Sequence, residues 1–128
     1  MTEEEIQQII DQAYPKIQKY FGKGKGNYPE INYNWKNTYA MHSDEPEAEG
    51  EHDATSIAEY YEGTIYIYLP NIKTEEDVLR ALIHEYVHYT QNITPELMQK
   101  YRDLYSYDTD PHEIDAREAE EKWHLFKT

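Results

Sequence analysis

The segment His84-Glu85-Tyr86-Val87-His88 constrains this chain more than any other feature, because it sets two imidazoles four residues apart within a stretch of helical apolar spacing. On a helix, positions i and i+4 share a face, so His84 and His88 can grip one divalent ion while Glu85 stands beside it. Whether five letters carry this meaning depends on their surroundings. Thr74-Glu75-Glu76-Asp77 has the form of a helix start, with a hydroxyl N-cap, a carboxylate three residues on and acidic residues at the positive end of the dipole. Val78, Leu79, Leu82, Ile83 and Val87 then recur at spacings of three and four, with the histidines at the margin of that buried stripe. Thr94-Pro95 starts a further helix, so the motif helix is expected to run from near Thr74 to near Asn92. The competing reading, a chance match of two surface histidines, is weakened by this context.

The residue types follow from zinc chemistry. Neutral imidazoles suit a borderline-soft dication, and a catalytic site keeps three protein ligands with one position open. A neighbouring carboxylate can then take a proton from water as it attacks a polarised carbonyl, and Glu85 is the candidate for that base.

A third ligand is needed. Asp110-Pro111-His112-Glu113 opens a final helix, with aspartate as N-cap, proline at the first position and Glu113 at the third. Ala116, Ala119, Trp123 and Phe126 supply its packing face, and the two alanines would let it approach the motif helix closely. Glu113 is the favoured ligand; its alternative role is to close a capping box. Asp115 and Asp110 stand in reserve.

His84-Glu85-x-x-His88 followed by Pro111-His112-Glu113-Ile114-Asp115-Ala116-Arg117 resembles the small zincin-type metallopeptidases of bacteria and phages, in which a helix with H-E-x-x-H precedes a helix with an E-x-x-A element. The resemblance spans about residues 64–126. It implies the gluzincin-like arrangement, with His84, His88 and Glu113 as zinc ligands and Glu85 as general base.

The 128 residues suit a single zincin-like metallopeptidase domain over 1–128. No cysteine is present, which excludes disulfides and thiolate ligation and points to a cytoplasmic setting. No apolar run of signal or membrane-spanning length is found, so no membrane partner is expected. With 12 basic residues against 26 acidic ones, the net charge of −14 argues against nucleic acid, whose binding rests on lysine and arginine. The same charge mildly favours cationic peptides or proteins as substrates, although acidic surfaces are commonly just solvated.

Towards the N-terminus, Thr2-Glu3-Glu4-Glu5 forms a capping box, and Ile6, Ile9, Ile10, Ala13, Ile17 and Phe21 mark an amphipathic helix that Pro15 should end or kink. Gly22, Gly24 and Gly26 alternate with Lys23 and Lys25 in what reads as a flexible connector, since the frame of a phosphate loop is missing. Ile31, Tyr33 and Trp35 alternate as in a half-buried strand, and the acidic stretch 44–53, flanked by His42 and His52, reads as a loop without metal-binding pattern. Thr55 to Tyr61 and Thr64 to Leu69 predict a hairpin around Glu62-Gly63, and the second strand is the candidate to border a cleft and pair with an extended peptide. Among 14 tyrosines and 6 histidines, Tyr101, Tyr105, Tyr107, His112 and His124 are placed plausibly for stabilising an oxyanion, with His124 three turns beyond Glu113 and so the least suited.

The expectation is therefore an α+β domain with a small antiparallel sheet, about four helices and a minimal zincin-like metalloprotease core, acting as a zinc-dependent peptidase or amide hydrolase. Two other classes stay open: a catalytically silent zinc-binding module, and an acidic protein-interaction module in which the motif is incidental.

Overall fold

The chain begins with a helix whose start is written in its first residues. In the computed structural model, which describes residues 1–34 and 57–127, helix α1 spans Glu3–Phe21, and Thr2 and Glu5 close the expected capping box. Pro15 does not end it. The proline is exposed, and the carbonyl that loses its partner is that of exposed Asp11, which water can satisfy. Ile6, Ile10, Ala13 and Ile17 lie on one face and are fully or almost fully buried.

Strand β1 (Glu30–Asn34), β2 (Ala58–Tyr61) and β3 (Thr64–Tyr68) form a three-stranded sheet in the order β1-β3-β2. The β2–β3 hairpin is antiparallel and turns on Glu62 (φ 46°) and Gly63 (φ 85°), the paired left-handed conformation of a tight hairpin turn. The sheet is mixed rather than wholly antiparallel, because β1 runs parallel to β3 with Ile31 opposite Ile65. Two anchors set that direction: Tyr14 Oη donates to the Pro29 carbonyl at 2.6 Å, and Glu30 N–H donates to the Gly63 carbonyl at 3.1 Å, so β1 enters where β3 begins. One consequence corrects a sequence expectation. The Thr64–Tyr68 strand is central, flanked on both sides, so it has no free edge to offer a peptide, and β2 rather than β3 lines the cavity beside the motif. Trp35, Thr55, the 44–53 stretch and its flanking His42 and His52 lie outside the described residues.

After a short 3-10 turn at Leu69–Asn71, helix α2 (Glu75–Thr90) starts on a Thr74–Asp77 capping box and ends at Gln91 and Asn92, the latter at φ 53°. Helix α3 (Pro95–Leu104) buries none of its residues, while α4 (Pro111–Ala119) is followed by a 3-10 stretch over Glu120–Leu125. The architecture is thus α+β, with four α-helices and one small sheet among the described residues.

The core lies between α1, α2 and the sheet: Ile6, Ile10 and Ile17 meet Leu79, Leu82, Ile83 and Tyr86, with Ile65 and Ile67 from β3. Ala116 of α4 and Phe126 beyond it join this cluster, so the last helix is drawn against α2 by its small residue, as the alanine spacing predicts. Among the described residues no helix is long and apolar enough to cross a membrane.

Candidate metal centre

Helix α2 carries the motif with its apolar face in the core and its histidines at the edge of that face: His84 is 8% exposed and His88 half-buried. Ala116 is fully buried, which brings the first turn of α4 over this edge. The result is a group of His84, His88 and Glu113 whose ligand atoms all lie within 4.8 Å of one another, an arrangement that can hold a metal ion. The His84 Nε2 to Glu113 Oε2 separation is 3.5 Å, and His88 Nε2 contacts Glu113 Oε1 directly.

The other side of each ring is also held. His84 Nδ1 lies 2.6 Å from Glu120 Oε2, and His88 Nδ1 lies 2.9 Å from Gln91 Oε1. Both partners fix the tautomer. A carboxylate can only accept, and Gln91 presents its oxygen because its Nε2 donates to the His112 carbonyl at 2.9 Å. Each Nδ1 therefore bears hydrogen, which leaves Nε2, the nitrogen facing Glu113, as the atom of each ring that would bind an ion once its proton is lost. Arg80 braces Glu120 at 3.9 Å while pairing with Glu76 at 2.7 Å.

This donor set suits a cation. Glu113 Oε2 is buried without a hydrogen-bond partner among the described residues, a costly state for a carboxylate oxygen unless a cation or proton answers it. Without an ion, protons do so. Burial alone would lower the His84 pKa, but the carboxylates of Glu113 and Glu120 on either side of the ring outweigh it and hold it up at about 10. For His88, burial is likewise outweighed by Glu113 and nearby Glu85, and its pKa is raised. Burial would raise Glu113, yet its bonds to both histidines pull it well below the usual carboxylate range.

Glu85 lies on the same helix beside these groups. Burial pushes its carboxyl up to about 7, against the lowering influence of His84, His88 and the Tyr60 N–H. That amide, on strand β2, donates to Glu85 Oε1 at 2.9 Å. A cavity of about 730 Å³ opens here, lined by His88 and Glu113 and by residues of β2 and α3, among them Tyr60 and Met98.

The reserve candidates do not reach the centre. Asp110 caps α4 by accepting from His112 N–H at 2.8 Å, and Asp115 is exposed. Glu113 closes no capping box, since the Asp110 N–H it would need donates to the Ser106 carbonyl at 2.9 Å. His124 is exposed beyond the end of α4, and Tyr105 is exposed at the end of α3. His112 lines the cavity and stacks on Tyr101 with ring centroids 4.4 Å apart. Tyr107 couples to the centre: burial and the charge of Glu113 push the hydroxyl up to about 12, although 65% of the residue is exposed.

Sequence reasoning passed over Glu120 and Gln91. Glu120 carries a weak signal, standing two helical turns after Glu113, and Gln91 sits three residues after His88 at the helix end. No protein-family model matches the chain, and no curated protein or solved structure matches it significantly.

Proposed function

We propose that this chain is a zinc-dependent peptidase or related amide hydrolase. The observation that carries the reading is the gathering of His84, His88 and Glu113 with both Nδ1 atoms engaged elsewhere, beside the half-buried Glu85 and an open cavity. Two imidazoles and one carboxylate form the ligand set of catalytic rather than structural zinc. Zinc held there supplies a Lewis acid that polarises a carbonyl and acidifies water.

The chain's own residues do the rest. Glu85, raised to about 7, is tuned to accept a proton from water near neutral pH and to hand it to the leaving amine. The Tyr60 N–H fixes which Glu85 oxygen is free to do so. Tyr107, whose hydroxyl feels the charge of Glu113, is the candidate donor to meet negative charge developing on the carbonyl oxygen. A cytoplasmic setting fits a chain without cysteine.

Metal analysis of protein purified without chelator tests the reading, together with His88→Ala and Glu85→Gln and assayed on a mixed peptide library by mass spectrometry. Zinc should fall away in His88→Ala. In Glu85→Gln zinc should stay while hydrolysis drops by roughly 10²- to 10⁴-fold. Equal zinc in wild type and His88→Ala, or full hydrolysis by Glu85→Gln, refutes the assignment.

A further inference from the structure

The loop Gly22-Lys23-Gly24-Lys25-Gly26 is pinned to the end of α2 rather than left as a free connector. Tyr86 Oη donates to the Gly22 carbonyl, Tyr89 Oη to the Gly26 carbonyl at 3.4 Å, and Lys25 N–H to Asn92 Oδ1 at 2.7 Å. A Cβ at position 24 would stand 2.7 Å from the Tyr89 carbonyl oxygen, so only glycine lets the chain pass this close. The docked loop brings Lys25 to the wall of the cavity that also contains His88 and Glu113, and α3 brings Arg102 to the same cavity.

Most other charges of that wall are committed. Glu113 is engaged by the two histidines, while Asp110 caps α4 and lies 3.4 Å from His112 Nδ1. Lys25 and Arg102 make no ion pair with another described residue, and Glu62 at the hairpin turn is the remaining acid. Among the described residues, two cations without an ion pair thus face one such anion, in a protein whose acids outnumber its bases 26 to 12. Distant surface charge is screened beyond roughly 8 Å at physiological salt, so the nearby pair governs what the cavity attracts.

We propose that Lys25 and Arg102 form a subsite for a substrate carboxylate, so that the cavity selects peptides carrying an acidic side chain or a free C-terminus. This rests on the hydrolase reading for its meaning, and it reverses the cationic preference that net charge alone suggests. The guanidinium of Arg102 can take a carboxylate in bidentate fashion, and Lys25 adds a point charge held by its anchored backbone.

Calorimetric titration tests the subsite with short peptides bearing a hydroxamate at the N-terminal end and Glu, Gln, Lys or Ala at the other, each as free acid and as amide. Zinc-loaded and metal-free protein are both titrated, and zinc content is measured on every sample. Carboxylate-bearing peptides should bind about tenfold tighter than their neutral counterparts. That preference should vanish in Lys25→Ala/Arg102→Ala and invert towards the Lys peptide in Lys25→Glu/Arg102→Glu. Dependence on the Glu/Gln pair identifies a side-chain carboxylate, and dependence on the acid/amide pair a C-terminal one. Equal binding across the set, binding of none, or a wild-type preference for the Lys peptide overturns the subsite. Zinc uptake without carboxylate preference sinks the subsite alone; preference without zinc uptake sinks the metal reading alone.

Discussion

The Glu85 carboxylate accepts a hydrogen bond from the backbone N–H of Tyr60 at 2.9 Å, which joins the second residue of the motif to the outer strand of the sheet. The amide lies on the edge of β2 that faces away from β3, so Glu85 also answers a strand group that would otherwise lack a protein partner. Glu85→Gln retains an acceptor oxygen at that place, whereas Glu85→Ala removes it. Chemical denaturation should therefore find Glu85→Gln close to wild type and Glu85→Ala less stable by about 1 kcal/mol, with water in the cavity softening the loss. Equal stability of the two variants would mean that the bond contributes nothing.

Glu120 holds His84 from behind, 2.6 Å from its Nδ1. Removing such a partner leaves the ligand in place but free to rotate and to change tautomer. Glu120→Ala is expected to weaken zinc binding by roughly 10- to 100-fold, with little change in the far-ultraviolet circular dichroism. Competition with a chromophoric chelator measures this directly, and an unchanged affinity would remove Glu120 from the centre.

A metal ion taken up at this centre would have to displace protons. In the ion-free protein the His84 pKa stands at about 10, above its ordinary 6.5, so the ring is charged at neutral pH and must lose a proton to bind metal. Calorimetry in two buffers of different ionisation enthalpy should report release of roughly one proton or more per ion at pH 7, and affinity that rises with pH. The ion-free fold responds in the opposite sense. Stability from the raised His84 is fully present below pH 6.5 and is lost as pH rises through about 10; that from the lowered Glu113 is present above pH 4.5 and is lost as pH falls through its depressed folded value. Alkaline pH should thus loosen the empty protein while tightening its hold on metal, and the absence of proton release would contradict the assignment.

Gly24 offers a steric test of the docked loop. Its Cβ would meet the Tyr89 carbonyl at 2.7 Å, Asn92 Oδ1 at 3.0 Å and Thr90 Cα at 3.2 Å, and backbone atoms cannot swing aside. Gly24→Ala should lower stability by about 1–3 kcal/mol, whereas Gly26→Ala, at φ 78° with open space around it, should cost only its left-handed backbone strain, about 1 kcal/mol. A thermal melt in which Gly24→Ala matches wild type would show that the loop does not need this close approach.

Local chemistry made much of this molecule legible in its sequence, and long-range contacts kept the rest hidden. The bounds of α2 follow from Thr74 and Asp77 at one end and Thr94-Pro95 beyond the other, since caps act within a turn. Glu113 stood out because its helix start was marked by Asp110 and Pro111, and because Ala116 promised close packing. The parallel setting of β1 depends on contacts from Tyr14 to Pro29 and from Glu30 to Gly63, which no periodicity encodes. Pro15 does not end α1, because the carbonyl it orphans belongs to exposed Asp11 and faces water. Glu120 is one carboxylate in a chain with 26 acidic residues, and the place of Lys25 in the cavity wall depends on the docking of its loop on α2.

The ligand-bearing helices are joined by a segment that includes α3, a helix with no buried residue of its own. In a chain without cysteine, an ion shared by His88 and Glu113 would act as a covalent-like staple across that span, closing the loop between them in the folded state. Loading and tertiary assembly would then be one thermodynamic event at this end of the protein, so a chelator would withdraw a fastening of the fold along with the catalyst.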